Sequence, residues 1–262
     1  MAGCSLSLLR VDEYRLALLD APASAPAWPA TEAGPVVLER PPVPVPGAKR
    51  DVPHAGTPGP LGPVLRAVCA ALRREEHRLT SLDQAVGDGD LGISLARGAE
   101  AIEHDLSGYD LADAAATLRA VSATLMRSLG GTSGPLYAAF LLRAATSLES
   151  QALTSIAAWA AALQEGINAV AELGGAEPGD RTMLDALHPA STALQDAIAA
   201  GEPAREAVFR CVSAAREGAE RTAAMTARRG RSSYLGDRAL GHPDPGAEAV
   251  VVWLKAISDA LA

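Results

Sequence analysis

The sequence predicts an all-α protein built from antiparallel helices. Hydrophobic residues make up 48% of the chain and aromatic residues only 3%, with alanine and leucine dominating, a composition that favours helices over strands. From Pro63 almost to the end, apolar residues recur every three or four positions, as on the buried face of a helix. No run typical of a β-strand follows residue 61, so a bundle of antiparallel helices is the expected architecture.

The first 60 residues differ from the rest of the chain. We predict a short strand from Ser5 to Val11 and one or two helical turns from Asp12 to Leu19. A piece of this size cannot bury its apolar side alone, so it is typical of the end of another domain. Most of the prolines lie in 21–60, and because proline fixes φ and lacks a backbone donor, this stretch is expected to be an extended, mobile linker.

About eight helical segments are predicted in the remainder, separated by breaks that carry Gly, Pro or Asp. The spacing of Leu118, Val121 and Leu125 illustrates the pattern of a buried helical face. The predicted segments are 62–78, 92–104, 110–129, 134–149, 153–173, 182–199, 203–227 and 245–261.

Charge and cysteine content limit the function classes. The formal net charge of -8 argues against a general nucleic-acid or anionic-membrane binder, because both partners require a positive surface. Cys4, Cys69 and Cys211 are far apart and odd in number, as expected for free thiols in a reducing compartment. The apolar run within the first ten residues is too short and too polar for a signal peptide or a membrane span. A cytoplasmic protein is the expectation.

An acidic, glycine-rich stretch at 82–92 is the first candidate site. Asp83, Asp88 and Asp90 fall within eight residues, in a predicted loop between a helical pattern that ends at about Leu79 and a helix that begins near Gly92. Carboxylate oxygens suit Mg²⁺, and the N–H groups at a helix start can face an anion. A solvated acidic turn is the alternative. An EF-hand is disfavoured, because its ligand order and closing Glu are missing.

Two further glycine-rich joints are candidate functional elements. Residues 130–135, Gly-Gly-Thr-Ser-Gly-Pro, offer hydroxyls and backbone N–H groups before a helix; an ordinary helix end followed by a proline-started helix is equally consistent. Residues 174–183 form a loop that feeds a helix, with Asp180 or Thr182 as its N-cap. Met183 could pack against an apolar ring, although a core methionine is commoner.

The last joint is basic. Four arginines cluster within 228–238 of an acidic protein, and a guanidinium suits phosphate. A solvated loop held by nearby acids is the alternative. Asp244, Pro245 and Gly246 follow, with an acid at the N-cap and proline at the first helical position, which is typical of a helix start.

With these joints together, the chain resembles the nucleotide-binding L domain of dihydroxyacetone (glycerone) kinases over about residues 61–262. Four ordered motifs carry the resemblance: L-D-x-x-x-G-D-G-D-x-G at 82–92, G-G-T-S-G-P-L-Y at 130–137, G-D-R-T-M-L-D-A-L-x-P-A at 179–190 and G-R-S-S-Y-L-G-D-R-x-x-G-H-x-D-P-G-A at 230–247. The family fold, an eight-helix antiparallel barrel, agrees with the number of predicted segments.

The resemblance implies a set of site residues. Asp83, Asp88 and Asp90 would hold Mg²⁺, two ions in our expectation, and the metal would bind the phosphates of ATP or ADP. Leucine at position 91 departs from the family pattern, which often has His or Cys there. The implied nucleotide-binding residues are Leu91, Gly92, Ile93, Ser94, Thr132, Ser133, Gly174, Met183, Arg231, Asp244, Pro245 and Gly246.

Residues 1–29 have a resemblance of their own, to the last strand and tail of the substrate-binding K domain of single-chain kinases. We therefore divide the chain into a K-domain remnant at 1–29, a Pro-rich linker at 30–60 and the L-like domain at 61–262. A truncated reading frame, or a start at an internal Met, would explain the missing part. The resemblance places the ketose-binding histidine in that part, so no histidine of this chain takes its role.

These features favour the ATP- and Mg²⁺-dependent phosphoryl-transfer domain of a dihydroxyacetone kinase, acting on a short ketose or triose held by a separate K-type domain or subunit. The chain has no G-x-x-x-x-G-K-[ST], so no P-loop lysine binds the phosphates and the metal must carry more of their charge. A phosphotransferase-type L subunit with tightly bound ADP, a non-catalytic nucleotide-binding regulator and a fatty-acid-type kinase relative stay open as alternatives. A homodimer is compatible with the resemblance.

Overall fold

The computed structural model describes residues 12–19, 21, 56–149 and 155–261. Throughout these ranges the regular structure is helical and contains no strand, which confirms the all-α prediction. The chain divides into two compact units, Met1–Asp51 and Val52–Ala262. The first contains helix α1 (Glu13–Leu19), where helical turns were expected. The strand predicted at Ser5–Val11 and most of the predicted linker lie outside the described residues.

Nine α-helices make up the described part of the second unit, joined by loops and by 3-10 turns. The turns span Leu106–Gly108, Thr222–Ala224 and Arg231–Ala239. The helices are α2 (Leu61–Arg74), α3 (Glu76–Val86), α4 (Leu91–Asp105), α5 (Ala114–Ser128), α6 (Ser133–Glu149), α7 (Ile156–Gly174), α8 (Leu184–Ala199), α9 (Ala204–Arg221) and α10 (Pro245–Ala260).

Eight of these helices close into a ring. Helix α2 packs against α4, each helix from α4 to α9 packs against the next, and α10 packs against both α9 and α2. The arrangement confirms the expected eight-helix architecture. Helix α3 is additional: it lies against α4, α10 and the 3-10 turn at 231–239.

Small residues allow the close helix packing. Much of the buried core is alanine, including fully buried Ala186, Ala190 and Ala215. Where α8 crosses α9, a Cβ on Gly218 would meet the backbone carbonyl oxygen of Asp185. Side chains of this size let helix backbones approach each other, so the alanine content that favours helices also sets the spacing of the ring.

The sequence-based boundary before the acidic loop was wrong. The predicted helix at 62–78 is two helices, because the backbone breaks at Glu75 (φ -89°, ψ 2°), and the second helix continues well past Leu79 to Val86. Leu79 and Val86 are fully buried, so packing of one face of α3 extends the helix. Asp83 therefore lies on a helix, and only Asp88 and Asp90 lie in the loop.

Helix α10 begins as predicted. The Asp244 carboxylate accepts a hydrogen bond from the backbone N–H of Ala247 at 2.8 Å, and Pro245 occupies the first turn. This cap is buried, and burial raises the pKa of Asp244 to about 6, while the N–H of Ala247 and the charge of Arg181 partly oppose the shift. Within the described ranges, no helix combines the length and apolar character that crossing a membrane requires.

Replacing Asp244 by Asn is expected to stabilise the protein at neutral pH. The folded-state pKa lies above the ordinary value of 3.8, so ionisation opposes folding, and stability present below pH 4 is lost as pH rises through 6. Asn keeps the cap without the charge. Urea unfolding should show equal stabilities near pH 4 and an advantage of about 1–3 kcal/mol for Asp244→Asn at pH 7. A constant difference across this pH range would contradict the shift.

Candidate functional site

Three carboxylates converge where α3 meets α4. One oxygen each of Asp83, Asp88 and Asp90 lies within 4.8 Å of the others. Asp83 is only 9% exposed, whereas Asp88 and Asp90 face solvent. The donor set consists entirely of hard oxygen atoms, and Mg²⁺ typically uses one or two carboxylates together with water and substrate phosphates. The residues present therefore fit a divalent cation such as Mg²⁺.

The backbone fixes the buried member of this cluster. Oδ2 of Asp83 accepts hydrogen bonds from the N–H groups of Asp90 at 2.9 Å and Leu91 at 3.1 Å. These bonds join the last turn of α3 to the first residues of α4. The connection requires glycine at 87, where a Cβ would meet Oδ1 of Asp83, and at 89, where φ is +76°. The intervening glycines thus allow the carboxylates to converge.

The start of α4 follows the acid cluster directly and packs against α3. Its N-cap, Asp90, makes no side-chain capping bond, so its carboxylate is not occupied by the helix. Gly92 packs tightly on α3, where a Cβ would meet the carbonyl oxygen of Glu76 and the hydroxyl of Thr80. Ser94 is buried, whereas Ile93 is half exposed and lines a surface depression together with His77 and Thr80 of α3. The first turn of α4 is therefore held closely against α3.

Arg231 brings the basic joint to the acids. Its guanidinium forms an ion pair with Asp88, and both side chains are partly exposed. A Cβ on Gly131 would lie 3.1 Å from Nη2 of Arg231, so the joint that carries Thr132 and Ser133 borders the same guanidinium. Three of the predicted joints thus meet at one end of the helical ring. Arg231 offsets the repulsion among carboxylates held this close together.

The joint at 174–183 is built differently from the prediction. Neither Asp180 nor Thr182 is the N-cap of α8, which begins at Leu184. Instead Asp185, inside the helix, accepts hydrogen bonds from the N–H groups of Gly179 at 2.5 Å and Thr182 at 2.8 Å. Asp185, an acid in the first turn, thus accepts the backbone hydrogen bonds before α8 that a preceding N-cap residue was expected to accept.

The remaining predicted residues lie at the end of α7 and near the starts of α8 and α10. Met183 is largely buried in the core, so it is a packing residue as well as a candidate pocket residue. A Cβ on Gly246 would lie 3.5 Å from the Cβ of Met183, which places the 244–246 turn beside it. Gly174, at the end of α7, approaches Leu136 of α6. Their part in nucleotide binding stays a prediction.

Sequence reasoning missed one residue, Arg181. It is 1% exposed and donates from Nε to the carbonyl oxygen of Thr222 at 3.2 Å, and from Nη2 to those of Ala239 at 3.0 Å and His242 at 2.8 Å. Only its place inside the G-D-R-T motif hinted at a role, since its partners are 41 to 61 residues away.

Comparison with known proteins identifies the family of the chain. The family model for the DAK2 domain matches residues 85–259. The human triokinase/FMN cyclase is 39% identical over 267 residues, covering 100% of this chain and 46% of the human protein. The ADP-binding subunit DhaL of the Escherichia coli PEP-dependent dihydroxyacetone kinase is 34% identical over 184 residues, covering 70% of this chain and 88% of that subunit.

Solved structures agree with the fold. The dihydroxyacetone kinase of C. freundii in its native form matches with a TM-score of 0.65 and 29% identity, covering 88% of this chain and 39% of that one. Its complex with AMP-PNP and Mg²⁺ matches with a TM-score of 0.63. The chain spans about half the length of the first curated relatives it matches, and it belongs to the DAK2-domain family, as a homologue of DhaL subunits and of the C-terminal part of triokinases and dihydroxyacetone kinases.

Proposed function

We propose that this chain is the Mg-nucleotide-binding, phosphoryl-transfer part of a dihydroxyacetone (glycerone) kinase, working on a short ketose or triose that a K-type domain or subunit holds. The observation that carries the proposal is the convergence of Asp83, Asp88 and Asp90 beside Arg231. A solved relative with this fold is a complex of dihydroxyacetone kinase with AMP-PNP and Mg²⁺, and DhaL relatives are named ADP-binding subunits.

The residues of the chain divide the work of phosphate binding. Asp83, fixed by two backbone N–H groups, and the exposed Asp88 and Asp90 would hold Mg²⁺, two ions in our proposal. When bound, the metal would neutralise phosphate oxygens and orient the leaving group. The first turn of α4 supplies helix N-terminal N–H groups for an anion.

Arg231 would change partner when the site is loaded. In this structure it neutralises Asp88. A cation held by Asp88 would take over that charge, which would release the guanidinium for a charge-assisted bond to phosphate. Thr132 and Ser133 border the same position and would add hydroxyl donors. The acceptor hydroxyl and its base would come from the K-type partner.

Three other functions would use the same site. The Escherichia coli relative favours a PEP-dependent subunit in which ADP stays bound, and a non-catalytic nucleotide-binding regulator would also need only this chain. The human, mouse and rat relatives, which match the whole chain, are named for a second activity, FMN cyclase. An intramolecular reaction would need no second substrate-binding domain. Cyclic flavin phosphate formed from flavin nucleotides by this chain alone would favour that activity.

Removing one metal ligand should weaken Mg-dependent nucleotide binding. We expect Asp88→Asn and Asp90→Asn to lower MgATP affinity at least about tenfold, since even outer-shell partners of a metal contribute about 10–100-fold. Isothermal titration calorimetry with and without EDTA measures the effect. Asp196→Asn, an exposed carboxylate on α8, is the matched control and should bind as the parent does. Retained MgATP affinity in both site variants would refute the metal assignment.

Kinase activity is expected only in the presence of a K-type domain. We predict no ATP turnover with dihydroxyacetone and Mg²⁺ by the chain alone, and turnover when a separately expressed K-type domain is added, because the acceptor site lies on that domain. A coupled ADP-release assay measures this. Turnover by the chain alone would contradict the division of labour, and ADP that copurifies without exchanging would favour the PEP-dependent alternative.

A further inference from the structure

We propose that Arg181 is a positioning residue that holds the 222–242 segment in place and thereby sets Arg231 beside the acid cluster of Asp83, Asp88 and Asp90. The inference rests on the proposed function, and it concerns a residue that lies outside the predicted metal and nucleotide ligands. Arg181 belongs to the joint before α8, whereas Arg231 belongs to the joint between α9 and α10.

Arg181 bonds to both ends of the segment that carries Arg231. Thr222 follows the last residue of α9, Ala239 ends the 3-10 turn that begins at Arg231, and His242 lies just before α10. Their three carbonyl oxygens all accept from the one guanidinium, at 3.2, 3.0 and 2.8 Å. The planar fork of arginine provides several donors in a fixed arrangement, which suits bridging separate backbone positions.

Neighbouring contacts fasten the same segment. The N–H of Gly241 donates to the carbonyl oxygen of Ala223 at 2.8 Å, which closes the two ends on each other. The N–H of Arg228 donates to the carbonyl oxygen of Asp180 at 3.1 Å, and the Asp180 carboxylate pairs loosely with the Arg228 and Arg229 guanidinium groups. The joint before α8 therefore contacts the segment that carries Arg231 through both backbone and side-chain groups.

The position of Arg181 is energetically costly. Its φ is +61° in a non-glycine residue, a left-handed conformation that is unfavourable for a residue with a Cβ atom. Its side chain is 1% exposed, Nη1 has no hydrogen-bond partner, and burial lowers the pKa of the guanidinium, a shift that the charge of Asp244 opposes. An apolar side chain would avoid the buried charge. What arginine provides at this position, and an apolar residue would not, is the set of hydrogen bonds to the 222–242 segment.

A purely structural role and a positioning role differ in one measurable way. If Arg181 acts on nucleotide binding through Arg231, its removal costs nothing once Arg231 is gone. If it only stabilises the fold, its effect on affinity is independent of Arg231. A double-mutant cycle on MgATP affinity separates the two, because residues that act through one another are non-additive.

The experiment uses Arg181→Met and Arg231→Met singly and together, with MgATP affinity measured by calorimetry. We expect each single variant to lose about tenfold in affinity, and the double variant to lose no more than Arg231→Met alone. Arg181→Lys should recover part of the loss, because an ammonium can reach some of the carbonyl oxygens. Arg143→Met is the matched control: Arg143 pairs with Glu172 at 2.6 Å between α6 and α7, and its loss should leave affinity unchanged.

Hydrogen exchange gives a second readout that needs no nucleotide. In Arg181→Met, or in Arg181→Lys if the first variant does not fold, we expect amides of 222–242 to exchange faster while those of α4 to α7 keep their rates. Additive losses in the affinity cycle, or exchange that rises equally in all helices, would overturn the proposal. Absence of MgATP binding by the parent chain would instead overturn the proposed function, and the exchange experiment would still decide whether Arg181 holds the segment.

Discussion

The site depends on one side chain that joins two helices, the Asp83 carboxylate. By accepting from the N–H groups of Asp90 and Leu91, it fixes the direction in which the chain leaves α3 and enters α4. The same carboxyl group is the buried member of the acid cluster, so the joint and the ligand set are one structure. Charge repulsion among three acids would otherwise spread this loop, and its short glycine-rich backbone leaves few alternatives.

The ring of helices explains why distant motifs can share one site. Because consecutive helices are antiparallel neighbours and α10 returns to α2, alternate joints lie at the same end of the ring. The joints that begin α4, α6 and α10 meet there, as the contacts of Arg231 with Asp88 and Gly131 illustrate. Rigid helices thus support a site made almost entirely of loops and helix starts.

Periodicity predicted the helices and an antiparallel bundle, whereas the eight-helix ring and the joints that would form a site at one end of it were implied by the family resemblance. No glycine or proline marks the break at Glu75, so residue type does not predict it. The predicted helix end at about Leu79 puts Asp83 in a loop, because the packing that extends α3 to Val86 is not visible in the sequence. The back-reaching bonds of Asp185 depend on loop geometry that residue type does not reveal. The role of Arg181 could not be predicted from the sequence, because its burial and its hydrogen bonds depend on segments far along the chain that only the closed ring brings together.

The Asp88–Arg231 pair has a thermodynamic consequence for how the site fills. A cation alone must separate Asp88 from Arg231 and leave the guanidinium without its counter-charge, and a phosphate alone must leave the carboxylates without theirs. A cation–phosphate complex satisfies both groups at once. In the proposed function, binding of the two ligands would therefore be coupled with positive, reciprocal cooperativity, and the site would discriminate against free Mg²⁺ and against uncomplexed nucleotide alike.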